Sequence, residues 1–148
     1  MRTSCRFAMA VHVLTVLAYN EGDRVTSADL AGSVNTNPVI VRRLLLALQQ
    51  AKLVDTSKGA GAGTRLNYAP KRINMAQIYR AVEAVEAFSK PSRKPNEDCP
   101  VGHCMQKELD KIFTSAQNAL EQDLEKTTLA DVIVVVKACG NGSGKKCV

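Results

Sequence analysis

Two neighbouring arginines, Arg42 and Arg43, close the run Thr36-Asn37-Pro38-Val39-Ile40-Val41-Arg42-Arg43. An arginine can hold a guanine edge through two hydrogen bonds or grip a phosphate. Adjacent helical residues project about 100° apart, so one of the pair suits a base and the other a phosphate, in either assignment. A second pair of cations, Lys58 and Arg65, flanks Gly59-Ala60-Gly61-Ala62-Gly63. Glycines let a hairpin tip come close to a groove, where a neighbouring cation meets strong negative potential. A nucleotide-binding P-loop is disfavoured, because these glycines lead into the strand-like Thr64-Arg65-Leu66, where a P-loop would lead into a helix and carry Gly-Lys-Ser/Thr. The chemistry on offer is recognition of duplex DNA, with Thr36, Asn37, Val39, Ile40, Arg42, Arg43, Lys58 and Arg65 as the contact residues.

The other reactive group is a thiol. Cys99 precedes Pro100, which suits a first helical position and so places Cys99 at a helix start. Free amides and the helix dipole lower a thiol's pKa there, which fits a redox-sensing residue; Glu97 and Asp98 oppose the effect. His103, one turn on, would support it if protonated. Cys99, His103 and Cys104 also make three soft ligands, one short of a closed metal site. His12 reads as a packed or surface histidine and not as the fourth. The same three residues could serve a thiol- or metal-dependent enzyme, but no general base, oxyanion donors or substrate pocket can be named beside them. The chain is therefore read as a non-enzyme. Cys5 and Cys104 are candidate disulfide partners for Cys99, and Cys139 and Cys147 fall in a loose tail.

The elements that must position these groups follow from periodicity. Phe7, Val11, Leu14 and Ala18 recur at helical spacing from Cys5 to Tyr19. Thr26 and Asp29 have capping-box spacing and open a short helix that ends near Val34-Asn35. After a polar turn, Pro38 begins a helix to about Ala51 that buries Val41, Leu44, Leu45 and Leu48, with Asn37 or Thr36 as its cap. Two short helices joined by such a turn have helix-turn-helix proportions. Leu53 to Ser57 and Thr64 to Leu66 make a hairpin around the glycines, which completes a winged helix. Asn74 and Gln77 cap a further helix carrying Ile78, Val82 and Val85. Residues 89–98 have linker composition.

The longest helix is expected from Pro100 to Glu125, with Val101, Met105, Leu109, Ile112, Phe113, Ala116, Leu120 and Leu124 in one apolar stripe. A symmetric partner is the simplest cover for it, so Leu109, Ile112, Phe113, Ala116, Leu120 and Leu124 are read as a homodimer interface. Thr128 and Asp131 cap a short closing helix. The expected division is a winged-helix domain over 1–88, a linker over 89–99, a dimerisation helix with the closing helix over 100–137, and a flexible tail over 138–148. The fold class is mainly α with a small β wing.

Composition agrees with that reading. The 148 residues are 45% hydrophobic and only 4% aromatic, with no tryptophan, so the core must be aliphatic and an all-β sandwich is disfavoured. The net charge of +6 is unevenly placed: residues 1–95 carry +8, residues 96–136 carry −5 and the last twelve +3. A basic region joined to an acidic one fits a phosphate-binding module with a separate, non-binding element. Five cysteines are too few and too scattered for a secreted disulfide scaffold. With no apolar run of membrane-span length and no signal-peptide pattern, the expected location is the cytoplasm, without membrane association.

The segments VTSADLAGSVNTNPVIVRRLLLALQQAKLV, KGAGAGTRL, INMAQIYRAVE and CPVGHCMQKELDKIF leading to TLADV together resemble the Rrf-two family of bacterial winged-helix transcriptional regulators. The likeness runs from the first helix through Val132. It implies a homodimer with crossed long helices, each protomer placing a winged helix on one half of a palindromic operator. Three departures stand out: Lys58 where the family's wing begins with arginine, Thr64 where an aromatic follows the glycines, and only Cys99 and Cys104 where iron–sulfur members carry three cysteines. The resemblance is therefore to the branch with a CPVG segment, which has no obligatory cluster; no cofactor is expected, with an iron–sulfur cluster as the lesser alternative. The expected function is a dimeric, sequence-specific regulator, a repressor, that senses redox state or a ligand through Cys99. A winged-helix module that binds protein instead of DNA is the alternative that salt dependence would separate.

Overall fold

The computed structural model describes residues 4–20, 22–83 and 87–140. Helix α1, Arg6–Tyr19, is the central rod of the first domain. Ala10, Val13, Leu14, Val16 and Leu17 on it are buried on more than one face, so its apolar positions are not confined to a stripe. Thr15 is buried among them and donates its hydroxyl to the carbonyl of Val11 at 2.7 Å, so its own polar atom is paired.

Helix α2, Ser27–Val34, starts at Thr26, whose side chain accepts the Asp29 N–H at 3.2 Å. It ends at Asn35, which adopts the left-handed conformation at φ 58°. The Thr36 N–H reaches back to Ala31 O at 2.9 Å and the Asn35 N–H to Gly32 O at 3.3 Å, a Schellman closure. Asparagine tolerates this backbone better than most residues, so the turn between the two helices is encoded locally. Helix α3, Pro38–Gln50, then begins with Asn37 accepting the Val39 N–H at 2.8 Å. Val41, Leu44, Leu45 and Leu48 are its buried face, as the spacing predicts. A second Schellman closure at Lys52, φ 61°, ends it and turns the chain into the wing.

The wing is an antiparallel pair, β1 (Val54–Ser57) and β2 (Gly63–Leu66), in register from Val54 opposite Leu66 to Ser57 opposite Gly63. Val25 adds a further rung, exchanging hydrogen bonds with Thr64 at 2.8 and 2.9 Å. A side chain at Gly63 would bring a Cβ to 3.0 Å from that of Arg24, so the rung requires a glycine there. Beyond a short 3-10 turn at Pro70–Arg72, helix α4 spans Met75–Val82 with a complete Asn74–Gln77 capping box.

Helix α4 is shorter than the periodicity predicts. Glu83 is already extended, and its carboxylate accepts the Phe7 N–H at 3.2 Å, a tertiary contact that stops the helix; Val85 lies outside the described residues.

Helix α5 spans Pro100–Glu125 and α6 Leu129–Cys139. The Thr128–Asp131 capping box is present, and α6 folds back onto the first domain: Leu129 N–H bonds Ile73 O at 2.8 Å and Met75 N–H bonds Thr127 O at 2.9 Å. Leu129 is fully buried with Leu14, Leu17, Ile73 and Ile78. Cys139, placed by sequence in a loose tail, is the last residue of this helix; Cys147 lies outside the described residues. The fold is mainly helical with a two-stranded wing, and among the described residues no helix is long and apolar enough to cross a membrane.

Candidate nucleic-acid interface

Helix α3 is buried on one side and turns the other outward. Val39, Arg42, Arg43 and Leu46 lie within about 70° of the direction opposite the buried face, by helical geometry. All four are exposed, Val39 by 48% and Leu46 by 58%. Ile40, 44% exposed, sits on the flank, about 100° from Val39. No acidic residue occurs anywhere in α3. Arg42 is held: its Nε donates to Ser27 Oγ at 3.2 Å, which fixes the guanidinium beside the first turn of α2. Arg43 has no ion pair or hydrogen bond among the described residues. Asn37 already uses its side-chain oxygen as the cap of α3, and Thr36 is half-buried in the turn.

Between α3 and the wing lies an open cleft of about 390 Å³ whose lining includes Ser27, Arg42, Leu46, Lys58 and Thr64 and no carboxylate. Lys58 stands exposed at its rim. Gly59 and Gly61, at φ 85° and 73°, form the tip, where a residue with a side chain would be strained.

Arg65, on the return strand of the wing, is exposed and also paired within the hairpin. Its Nε lies 3.4 Å from the Asp55 carboxylate on the facing strand, so part of its charge is spent within the wing. Asp55 pairs more closely with Arg24, at 2.6 Å, and Arg24 also donates to the backbone oxygens of Asp55 and Gly63. Arg24 holds the Asp55 carboxyl below its ordinary pKa. Arg24 escaped sequence reasoning, because only the Val25–Thr64 rung brings it to the wing.

Cys99 is the residue before α5 and is exposed. Its side chain makes no full capping hydrogen bond, but the amides of Gly102 and then Val101 hold its thiol below the ordinary pKa. Cys5 and Cys104 are exposed free thiols. His103 is exposed, and His12 lies 3.0 Å from Ser33 as a surface histidine. The described residues gather no set of three or more His, Cys, Asp or Glu side chains able to hold a metal ion, so Cys99, His103 and Cys104 do not fit one as they stand.

Gly102 controls how the linker meets this turn. A Cβ there would lie 2.1 Å from the carbonyl oxygen of Asn96 and 3.1 Å from its carbon, so the loop must move to admit one. Gly102→Ala gains helix propensity of about 1 kcal/mol and loses the docked loop. We expect trypsin to cut after Arg93 several times faster in that variant while its melting temperature changes little. An unchanged cleavage rate would show that the loop is not held there.

Helix α5 has no fully buried residue. Of the expected interface, Leu124 packs on the core of its own chain and Phe113 stacks on Phe88 with centroids 5.3 Å apart. Leu109 and Ala116 are half-buried, and Val101, Met105, Ile112 and Leu120 stay exposed. Arg80 ties α4 to α5 through Glu121 at 2.6 Å and Glu125 at 2.7 Å.

Comparison with known proteins accords with these elements. Residues 3–134 match the family Rrf2, described as iron-dependent transcriptional regulator. YwnA of Bacillus subtilis (strain 168), named as an HTH-type transcriptional regulator, is 38% identical over 128 residues, covering 86% of this chain and 94% of YwnA. A crystal structure titled as a DNA binding protein is 34% identical, with a TM-score of 0.69 over 86% of this chain and 98% of its own. CymR, the global cysteine regulator of B. subtilis, shares the fold at 20% identity, with a TM-score of 0.66 over 91% of this chain and 98% of its own. With a winged helix over its first domain and the family match spanning nearly its whole length, the chain belongs to the Rrf2 family of DNA-binding transcriptional regulators, a family of regulators and not of enzymes.

Proposed function

We propose that the chain is a dimeric repressor, in which two copies pair through α5 and each lays α3 in the major groove of one half of a palindromic operator. The observation that carries this reading is the outward face of α3, with Arg42 and Arg43 beside a carboxylate-free cleft that leads to Lys58 on the wing. The wing tip then enters the neighbouring minor groove, with Arg65 bracing it through Asp55.

Sensing is assigned to Cys99. Its thiolate, favoured by the amides of Gly102 and Val101, attacks one oxygen of hydrogen peroxide and breaks the O–O bond; the sulfur keeps that oxygen as sulfenic acid, and the other leaves as hydroxide, which takes a proton from solvent to become water. The product changes how the linker is anchored at α5 and so the spacing of the two recognition helices. That spacing must match about one turn of DNA, so a small shift lowers affinity.

The test uses the full chain with Cys139→Ser and Cys147→Ser to remove the two C-terminal thiols. Alkylation at neutral pH should label Cys99 before Cys5 and Cys104. Peroxide should weaken operator binding about tenfold or more in this protein and leave its Cys99→Ser derivative unaffected. If both release DNA alike, or neither does, Cys99 is not the sensor.

A further inference from the structure

The outward line of α3 is not purely cationic. Val39 and Leu46, seven residues apart, share it with Arg42 and Arg43, and both are about half exposed while the leucines opposite are covered. Large aliphatic side chains on a helix whose polar neighbours are all basic or neutral do not match a uniformly acidic or uniformly polar surface. They match a surface that is anionic and yet carries isolated apolar groups. The DNA major groove is such a surface: its phosphates flank base edges that are polar except at one group, the C5 methyl of thymine. Val39 is in the first turn of α3, the end that approaches the bases when a recognition helix docks. Leu46 lies about 10 Å further along the axis and lines the cleft toward the wing, where the sugar–phosphate edge would run.

We propose that Val39 specifies thymine by packing on its C5 methyl, so that each operator half carries a thymine beneath the first turn of α3. This rests on the DNA-binding reading above and sharpens it: Arg42 and Arg43 supply hydrogen bonds and charge, and Val39 supplies a contact that distinguishes thymine from every other base. Because Val39 is exposed and caps nothing, Val39→Ser leaves the fold intact, which thermal melting checks.

The experiment selects binding sites from a random-sequence duplex library, then remakes the best site with uracil at each thymine in turn. Uracil keeps the base pair and removes only the methyl group. Burying one methyl is worth about fourfold in affinity. The expected result is one uracil position per half-site that weakens binding about fourfold, and a Val39→Ser variant that is indifferent to uracil at that position. Binding that tolerates uracil everywhere, or a Val39→Ser protein with the same uracil penalty, would overturn the methyl contact and leave DNA binding standing. A protein that enriches no duplex at all would overturn both.

Discussion

A chain carrying Ile112→Glu and Leu120→Glu together is expected to sediment as a monomer and to bind its operator at least about a hundredfold more weakly than the parent. Within one chain, Val101, Met105, Ile112 and Leu120 remain 61%, 42%, 54% and 38% exposed along α5. Each such side chain contributes about 1.5–3 kcal/mol when fully buried, and a twofold pairing counts every one of them twice. Placing two carboxylates in that face removes the gain and adds the cost of desolvating charge. DNA affinity falls with it, because two linked half-site contacts become two separate binding events. The substitutions touch no buried position, so the winged domain should melt as before. A variant that sediments as a full dimer at micromolar concentration would show that α5 is not the pairing surface. Arg80 should matter as well, since its bonds to Glu121 and Glu125 orient α5 on the winged domain of its own chain.

Much of this molecule was legible because its helix ends are written locally. Thr26, Asn37, Asn74, Thr128 and Pro100 each carry a short-range capping signal, and each marks a helix start in the structure. The buried face of α3 follows directly from the spacing of its leucines. What escaped is what distant chain segments decide. Helix α4 stops at Val82 because Glu83 is taken by the start of α1, and no local breaker announces it. Helix α6 follows the long helix in sequence yet inserts Leu129 into the first domain's core, guided by strand-like contacts to Ile73 and Met75. Lys52 ends α3 in a left-handed conformation that its side chain does not favour, and the Schellman bonds to Gln49 and Leu48 together with the Asn67 amide on the Lys52 carbonyl hold it there.

The candidate site divides in the same way. Arg42, Arg43 and Lys58 were readable as exposed cations because their neighbours in sequence define a recognition helix and a wing tip. The Arg24–Asp55–Arg65 cluster was not, since it joins a loop before α2 to both strands of the wing. The consequence is a wing braced from behind, with Lys58 left as its forward cation. Arg65 braces the wing through Asp55 while its guanidinium stays half exposed.

Replacing Arg42 and Arg43 together by alanine is expected to lower operator affinity by roughly a hundredfold to a thousandfold, since a bidentate arginine contact is worth about 1–3 kcal/mol. The parent's affinity should fall steeply between low and moderate salt, and the double variant's less steeply, because fewer phosphates are neutralised. The two arginines should not contribute equally. Arg42 is anchored to Ser27 and so loses less freedom when DNA arrives, whereas Arg43 must be ordered from solution. Arg42→Ala should therefore cost more than Arg43→Ala. Ser27→Ala should reproduce part of the Arg42 loss and add little to Arg42→Ala, a non-additivity that a double-mutant cycle reads directly. Both arginines and the Ser27 hydroxyl are at the surface, so circular dichroism and melting should be unaltered. If the double variant binds as tightly as the parent, α3 is not the recognition helix. If Ser27→Ala and Arg42→Ala add fully, the hydrogen bond between them does not prepare the site.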